Sequence, residues 1–183
     1  TLSLHDALPI SAKDRGTGIA KRNPEYVAQK MREGKAVIAM DGDKFAGFSY
    51  IECWDHGHFV ANSGLIVKPE YRKMGLAKQI KSRIVELSQE MFPNAKIFSL
   101  TTGAAVMKIN TELGFKPVTF QDLTTDPKFW KGCESCVNYD VLCRNNFERC
   151  LCTGLLFNPP HRKRVIVAYS GGLDTSYTVM YLA

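Results

Sequence analysis

The sequence predicts an α/β fold class, of the α+β kind with a mixed sheet, followed near its end by one further strand, loop and helix start. The first observation behind this prediction is the order of the apolar patterns, which runs helix, strands, helix, strand, helix, strands. The second is a composition of 45% hydrophobic and 23% charged residues, which is typical of a globular protein and not of a disordered one. The third is a break in composition at Pro159 and Pro160, which predicts a domain boundary.

The first predicted elements are a helix and a hairpin. Asn23 can cap a helix that Gly34 can end. KAVIAM at 35–40 then predicts a strand, and DGD at 41–43 predicts a tight turn. The partner strand at 44–54 carries apolar residues on both faces, which indicates a strand inside a sheet.

A strand, a helix and another strand follow the hairpin. The segment 58–67 predicts a strand, and apolar residues three or four apart over 76–91 predict a helix with one face on the sheet. AKIFSL at 95–100 predicts the next strand.

The last elements of this domain are a helix and two candidate strands. Thr101 or Thr102 can cap the helix, and Gly114 can end it. The candidate strands are KPVTF at 116–120 and CVNYDVL at 136–142.

The charge distribution favours a polyanionic partner. A net charge of +6 and a pI near 9 suit nucleic acid, a nucleotide or coenzyme A. Six basic residues crowd one stretch: Lys68, Arg72, Lys73, Lys78, Lys81 and Arg83. A second basic run at 161–164 is interpreted as a solvated linker.

The sequence predicts a cytoplasmic location. No apolar run approaches the ~18–20 residues of a membrane helix, so no membrane partner is expected. The N-terminus has no basic flank before an apolar segment, which argues against a secretory signal. In the cytosol the six cysteines are expected to be thiols or metal ligands.

The basic stretch combines a strand end, a turn and a helix start. In VKPEYRKMGLAKQIK the strand ends near Val67 and the helix starts near Gly75. Helix N-termini leave backbone N–H groups unpaired and carry partial positive charge, so they bind phosphates. Gly75 has no Cβ to keep a phosphate from the backbone, and Arg72 and Lys73 can add charged contacts.

Two landmarks resemble the GNAT superfamily of N-acetyltransferases, and the resemblance covers roughly residues 11–143. RKMGLA, from Arg72 to Ala77, matches the family signature R/Q-x-x-G-x-G/A. LGF at 113–115 matches the family's second landmark. The resemblance implies a GNAT-like acyl-CoA N-acyltransferase fold that uses acetyl-CoA or another acyl-CoA.

The family also implies where the acyl-CoA lies. The strands 59–67 and 95–100 are expected to splay apart and admit the pantetheine arm. The pyrophosphate is expected to bind the backbone N–H groups of six consecutive residues: Arg72, Lys73, Met74, Gly75, Leu76 and Ala77. The pantetheine amides are expected to bind backbone groups at the end of the preceding strand, which would also polarise the thioester: Leu65, Ile66 and Val67. A neutral amine would then attack, which requires stabilisation of an oxyanion and loss of a proton.

The catalytic residues of the family are only partly matched. A slot that often holds a tyrosine acid reads Asn110, and an asparagine slot earlier on the same helix reads Gly103. Glu52, His56 and His58 are candidate bases, with ordinary hairpin residues as the other interpretation. The sequence therefore supports acyl-CoA binding more strongly than catalysis.

A cysteine-containing extension spans 130–157. Four of its cysteines are candidate zinc ligands: Cys133, Cys136, Cys150 and Cys152. The other interpretation is buried or reduced thiols. The predicted strand through 137–142 supports it, because a strand of that length spans about 20 Å at ~3.3 Å per residue. The chain after Cys143 would have to double back for the two cysteine pairs to meet.

The chain ends in a second nucleotide-binding pattern, AYSGGLDTS. Its residues are Ala168, Tyr169, Ser170, Gly171, Gly172, Leu173, Asp174, Thr175 and Ser176. Glycines, hydroxyls and a helix N-terminus after an apolar strand suit the phosphates of a nucleotide. The string resembles the pyrophosphatase loop at the start of the argininosuccinate synthase family. That resemblance implies an adenine-nucleotide α-hydrolase-like (PP-loop) domain that binds ATP with Mg.

The expected organisation has four parts. Residues 1–10 resemble a translated sequencing adapter and are left out of the fold as a scar. Residues 11–157 form the GNAT-like domain, shortened at its N-terminus, and 158–164 form a linker. Residues 165–183 begin the synthase domain, which is truncated after its ATP loop.

The expected function is that of a fragment of a bifunctional arginine-biosynthesis protein. An N-acyltransferase, with an amino acid such as glutamate as acceptor, precedes an argininosuccinate synthase that joins citrulline and aspartate using ATP. The alternative is a catalytically inactive domain that binds acyl-CoA and regulates the synthase. Nucleic-acid binding ranks last, because the basic residues cluster where CoA phosphates would lie and no aromatic-rich basic stripe is present.

Overall fold

The structure, a computed structural model, describes residues 23–159. Its α-helices are α1 (Pro24–Arg32), α2 (Leu76–Met91), α3 (Ala104–Glu112), α4 (Pro127–Lys131) and α5 (Tyr139–Arg144). Its strands are β1 (Ala36–Asp41), β2 (Lys44–Trp54), β3 (Phe59–Val67), β4 (Lys96–Thr101), β5 (Lys116–Val118) and β6 (Thr153–Phe157). The adapter-like segment 1–10 and the loop 168–176 lie outside the described residues, so what was expected of them stays a prediction.

The described strands form one mixed sheet in the order β1-β2-β3-β4-β6-β5. β3 and β4 pair in parallel, and the other neighbouring strands pair antiparallel. A parallel pair needs a crossover connection, and α2 supplies it between β3 and β4. The mixed sheet confirms the predicted fold class of this part of the chain.

The interior of the sheet is built around β2. Eight consecutive residues of this strand are buried, which confirms the prediction of an interior strand. On one face, Val27 of α1 packs against Phe48 and Tyr50. Asn23 caps α1, because its side-chain oxygen accepts a hydrogen bond from the Glu25 N–H at 2.9 Å.

Separate apolar cores cover the two faces of β4. Ile97 packs with Ile84 and Val85 of α2 in the first core. Phe98, the next residue, packs with Trp130 of α4 in the second. Successive side chains of a strand point to opposite faces, so α2 and the C-terminal helices lie on opposite sides of the sheet. No α-helix of the described residues is both long and apolar enough to cross a membrane.

The strand predicted at 136–142 is wrong. The chain there turns and forms α5, with Val137 exposed and Leu142 buried in the second core. A helical turn places Tyr139 and Leu142, three residues apart, against the same core. Apolar runs this short do not distinguish a strand from a helix. The strand beside β4 is β6, which had no counterpart among the predicted strands.

The N-cap of α3 and the extent of β5 differ in detail from the prediction. Gly103 is the N-cap of α3, in place of Thr101 or Thr102. The Thr101 hydroxyl instead accepts a hydrogen bond from the Gly103 N–H at 3.0 Å, so it orders the turn that precedes the helix. The strand predicted at 116–120 is present over Lys116–Val118.

β3 contains a bulge at Gly64. Its pairing with β2 passes from Ser63 opposite Tyr50 to Ile66 opposite Phe48, so β3 has one extra residue over this interval. Gly64 has a φ of +65°, and a Cβ there would lie 2.5 Å from the Tyr50 ring. Both facts restrict the position to glycine. A bulge bends its strand, so the second half of β3 departs from the direction of the first.

We expect Gly64→Ala to destabilise the fold more than Gly34→Ala. Gly34 has a φ of +68° with open space around its Cβ position, so both variants carry similar backbone strain of about 1–2 kcal/mol. Alanine at 64 must also displace the Tyr50 ring, which adds about 1–3 kcal/mol. Urea unfolding of both variants measures the difference, and equal losses would show that the Tyr50 contact does not constrain the bulge.

Candidate functional site

The central feature of the site is an opening between β3 and β4. The two strands pair at Phe59–Lys96, Val60–Ile97 and Ala61–Phe98, and no later pair joins them among the described residues. β3 continues beside β2 as far as Val67, and β4 continues beside β6 as far as Thr101. The strands therefore diverge at Asn62 and Ser99, and the separation implied by the family resemblance is present. We call the space between them the cleft and its paired end the apex.

A constrained turn follows β3 at the open end of the cleft. Arg72 Nε donates a hydrogen bond to Val67 O at 3.2 Å, and Tyr71 OH donates one to Asp41 of β1 at 3.0 Å. Lys73 has a φ of +64° and Gly75 a φ of +80°, so two left-handed residues reverse the chain into α2. These contacts fix the start of α2 against the end of β3.

A row of backbone N–H groups faces no protein acceptor in this turn. Among the described residues, no hydrogen bond is made by the N–H groups from Lys73 to Ala77, whereas those of Lys78 and Gln79 donate to Gly75 O. A Cβ built on Gly75 would meet no atom within 4 Å, so the backbone is open to a ligand. The helix dipole adds partial positive charge, and the arrangement suits a diphosphate. The N–H of Arg72 donates to Pro69 O, so the row begins one residue later than predicted.

Asn110 lies in the last turn of α3 and is fully buried. Gly114 and Phe115 end the helix with N–H bonds to Thr111 O and Asn110 O, a Schellman motif that the predicted Gly114 stop anticipates. The Nδ2 and Oδ1 atoms of Asn110 both lack a partner within the described part of the chain. Each such group costs about 1–3 kcal/mol when it stays unpaired, so the position suits water or ligand atoms.

Glu52 lies beside the cleft. It pairs with Ala61 across the sheet, one residue before the strands diverge, and it is only 5% exposed. Its carboxylate accepts hydrogen bonds from the hydroxyls of Tyr26, at 2.9 Å, and Ser63. Ser63 belongs to the part of β3 that is paired with β2 but not with β4, so this predicted base is connected to the cleft through one hydroxyl.

His56 and His58 lie away from the cleft. They belong to the turn that joins β2 to β3, and His58 O accepts the N–H of Lys96 at the start of β4. Four residues separate His58 from Asn62, or about 13 Å of strand at ~3.3 Å per residue. A concavity of about 580 Å³ beside this turn is lined by His56 and Phe92, among others, and it lies at the closed end of the strands. We therefore leave both histidines out of the site.

Lys81 is a residue whose importance the sequence did not reveal. It is 1% exposed, and its Nζ donates a hydrogen bond to Asn62 Oδ1 at 3.0 Å. Asn62 Nδ2 donates to Ser88 Oγ at 2.8 Å, and the Ser88 hydroxyl donates to Ile84 O at 2.6 Å. Burial lowers the pKa of Lys81 to about 7. A signal was available, because Ala77, Lys81, Ile84 and Ser88 follow helical spacing on the side of α2 that the sheet covers.

The four cysteines proposed as zinc ligands line one small cavity beneath Trp130. Among the described residues, however, no group of three or more His, Cys, Asp or Glu side chains is placed to hold a metal ion, so zinc is not supported. Burial, followed by the neighbouring thiols, raises the pKa of Cys152 to about 12. Three of these cysteines pack against the second core: Cys133, Cys150 and Cys152.

We expect the buried Lys81 to make stability depend on pH. The unfolded chain keeps this proton up to about pH 10.5, whereas the folded chain releases it near pH 7. The unfolded state binds more protons across that window, so stability rises with pH there and is lost as the pH falls toward 7.

Lys81→Met should remove this dependence. Its advantage over the wild type should be larger near pH 7 than near pH 10.5 by on the order of 3 kcal/mol. Urea unfolding of both proteins across the window gives this difference. A difference that does not change with pH would contradict the burial of a titrating amine.

Comparisons with known proteins agree with this geometry. The profile of the acetyltransferase (GNAT) family matches residues 8–113, which is more than half of the chain. No curated protein matches. The N-acetylglutamate synthase of Neisseria gonorrhoeae, solved with coenzyme A and N-acetyl-glutamate, is 15% identical with a TM-score of 0.61. The similarity covers 84% of this chain but only 32% of that enzyme.

Two shorter proteins are similar over most of their own length. A Bacillus subtilis acetyltransferase solved with CoA is 16% identical, with a TM-score of 0.55 and coverage of 85% of this chain and 90% of that one. YncA of Salmonella typhimurium, a putative acetyltransferase solved with acetyl-CoA, is 12% identical, with a TM-score of 0.53 and coverage of 82% and 84%. At these identities the similarity shows the fold, and the family profile goes further: the chain belongs to the acetyltransferase (GNAT) family.

Proposed function

We propose that the chain transfers an acyl group from acyl-CoA to an amine. The observation that carries this proposal is the cleft between β3 and β4 with a row of unpaired N–H groups at its open end. The N–H row from Lys73 to Ala77 would hold the pyrophosphate, and the pantetheine arm would run along the free edge of β3 toward the apex. Similar proteins solved with CoA or acetyl-CoA support the same donor.

Acyl transfer requires an acceptor for the proton of the amine and stabilisation of the negative charge that forms on the thioester. The neutral amine nitrogen attacks the carbonyl carbon, the new C–N bond forms, the C–S bond breaks, and the sulfur leaves as a thiolate that takes up a proton. Backbone N–H groups of Leu65 to Val67 would hold the pantetheine amides, and Asn110 Nδ2 would donate a hydrogen bond to the sulfur. Glu52 would accept the proton of the amine through Ser63.

An amino acid such as glutamate is the acceptor we propose. The fusion expected from the sequence supports it, as does similarity to a synthase solved with N-acetyl-glutamate. Thiol release from acetyl-CoA across a panel of amines tests the reaction and the acceptor together. Release with amino acids would support both, and no release with any amine would refute the transferase.

We further propose that residues 165–183 are the start of an argininosuccinate synthase that binds ATP with Mg. The string AYSGGLDTS supports this, and the segment lies outside the described residues. Sequencing one long read across the source locus tests it. An uninterrupted reading frame beyond Ala183 would support a bifunctional arginine-pathway protein, whereas a stop or frameshift between Asn158 and Val165 would refute the fusion.

A regulatory domain that binds acyl-CoA without turnover is the second candidate. Asn110 favours it, because an amide cannot donate a proton to a leaving thiolate as a tyrosine can. Such a domain would change the synthase through a coupling free energy. CoA binding by calorimetry with no thiol release from any amine would select this candidate.

We expect Lys73→Ala to weaken CoA binding about three- to tenfold, because one exposed charged contact is worth ~1 kcal/mol. Arg83→Ala is the matched control. It removes the same charge from the exposed side of α2, where Arg83 pairs with Glu86 and Glu90. Calorimetric titration with CoA measures both variants. Equal affinities for the two variants would place the pyrophosphate elsewhere.

We expect Asn110→Leu to raise the stability of the free protein and to lower its rate of acyl transfer. Leucine has a similar volume and leaves no unpaired amide, so the free protein should gain about 1–3 kcal/mol. If Asn110 donates to the leaving sulfur, acyl transfer should fall while CoA binding changes little. Unfolding curves and thiol release are the two measurements. Undiminished turnover in the variant would remove Asn110 from the reaction.

A further inference from the structure

Lys81 is a buried amine without an acidic partner. None of the ion pairs among the described residues includes it, and burial is the cause of its lowered pKa. Buried lysines are ordinarily paired with a carboxylate, because an uncompensated charge in a protein interior is costly. Its surroundings are the Asn62 amide and the ring of Phe115, whose centroid lies 4.7 Å from Nζ.

The elements packed around Lys81 offer no anion either. One turn earlier on α2, Lys78 faces solvent and pairs with Glu112 of α3 at 2.7 Å. β3 contributes the neutral side chain of Asn62, and the segment after α3 contributes Phe115. The negative charge that would compensate Lys81 is therefore absent from the described protein.

Lys81 lies beside the apex of the cleft. Asn62, which it contacts, is the first residue of β3 beyond the last pair with β4. Along α2, Lys81 follows Gly75 by six residues, or about 9 Å at ~1.5 Å per residue. A diphosphate at the start of α2 and a thioester near the apex would thus lie at opposite ends of the same cleft.

We propose that Lys81 is a positioning residue that stabilises the negative charge formed on the thioester during acyl transfer, acting through Asn62. Nζ orients and polarises the Asn62 amide by donating to Oδ1. Asn62 Nδ2 has two N–H groups, of which Ser88 accepts one, so the second is left for the cleft. As the C–S bond breaks, charge builds on the oxygen and sulfur, and the thiolate then takes the proton released by the amine. This inference rests on the proposed transferase function and deepens it.

Lys81→Met tests the inference, because methionine fills a similar volume without charge. We expect kcat to fall about ten- to a hundredfold, with KM for acetyl-CoA changed less than about threefold. The melting temperature should stay the same or rise, since a buried unpaired charge is removed. If Lys81 only supported the fold, its replacement by methionine would instead lower the melting temperature.

Two further variants complete the experiment. Lys81→Arg keeps a charge that does not titrate, so it should retain more activity than methionine and lose the decline of kcat with rising pH that begins near pH 7 in the wild type. Lys96→Met is the matched control, because Lys96 also lies over a phenylalanine ring, that of Phe59, but is exposed at the paired end of the strands. It should leave kcat unchanged.

The outcomes separate this inference from the proposed function. No acyl-CoA turnover by the wild-type chain would overturn both. Turnover by the wild type with an equal kcat in Lys81→Met would overturn the role of Lys81 alone. A fall in kcat of Lys81→Met together with a lower melting temperature and an equal fall in CoA affinity would show a structural role and also overturn it.

Discussion

The loss of pairing between β3 and β4 after Ala61 and Phe98 is the constraint on which the rest of the molecule depends. Two parallel strands that part in mid-sheet leave backbone groups without a ladder partner, and water or a ligand must satisfy them. Each strand stays fixed because its other edge is occupied, β3 by β2 and β4 by β6. The bulge at Gly64 then bends β3 away, so the cleft is built into the register of the sheet and not into a loop.

Buried polar groups surround this cleft on both faces of the sheet. Lys81 and Asn62 lie on the side of α2, and Glu52 lies on the side of Tyr26 in α1. Asn110 adds an amide with no partner among the described residues. Burying polar groups is costly even when they are hydrogen-bonded, and the proposed ligand site gives these groups a role. Stability and function are then set against each other in the same few residues.

The sequence predicted those parts of the fold that local patterns determine. Helical spacing, capping residues and turn glycines located α1 to α3 and the strands around them, and RKMGLA located the open N–H row. What it missed depends on contacts between distant residues. The Tyr50 ring excludes a Cβ at Gly64 in the bulge, and Lys81 is buried in contact with Asn62 of another element. The short run 136–142 was misread because its apolar residues fit a strand and a helix equally well.

Hydrogen exchange of the backbone amides with and without acetyl-CoA tests the central claim most directly, because it reports where the donor lies independently of turnover. Exchange should slow at 73–77 and along the free edge of β3, and it should not change around His56 and Phe92 at the closed end. Slower exchange confined to the concavity near His56, or none at 73–77, would contradict an acyl-CoA site in the cleft.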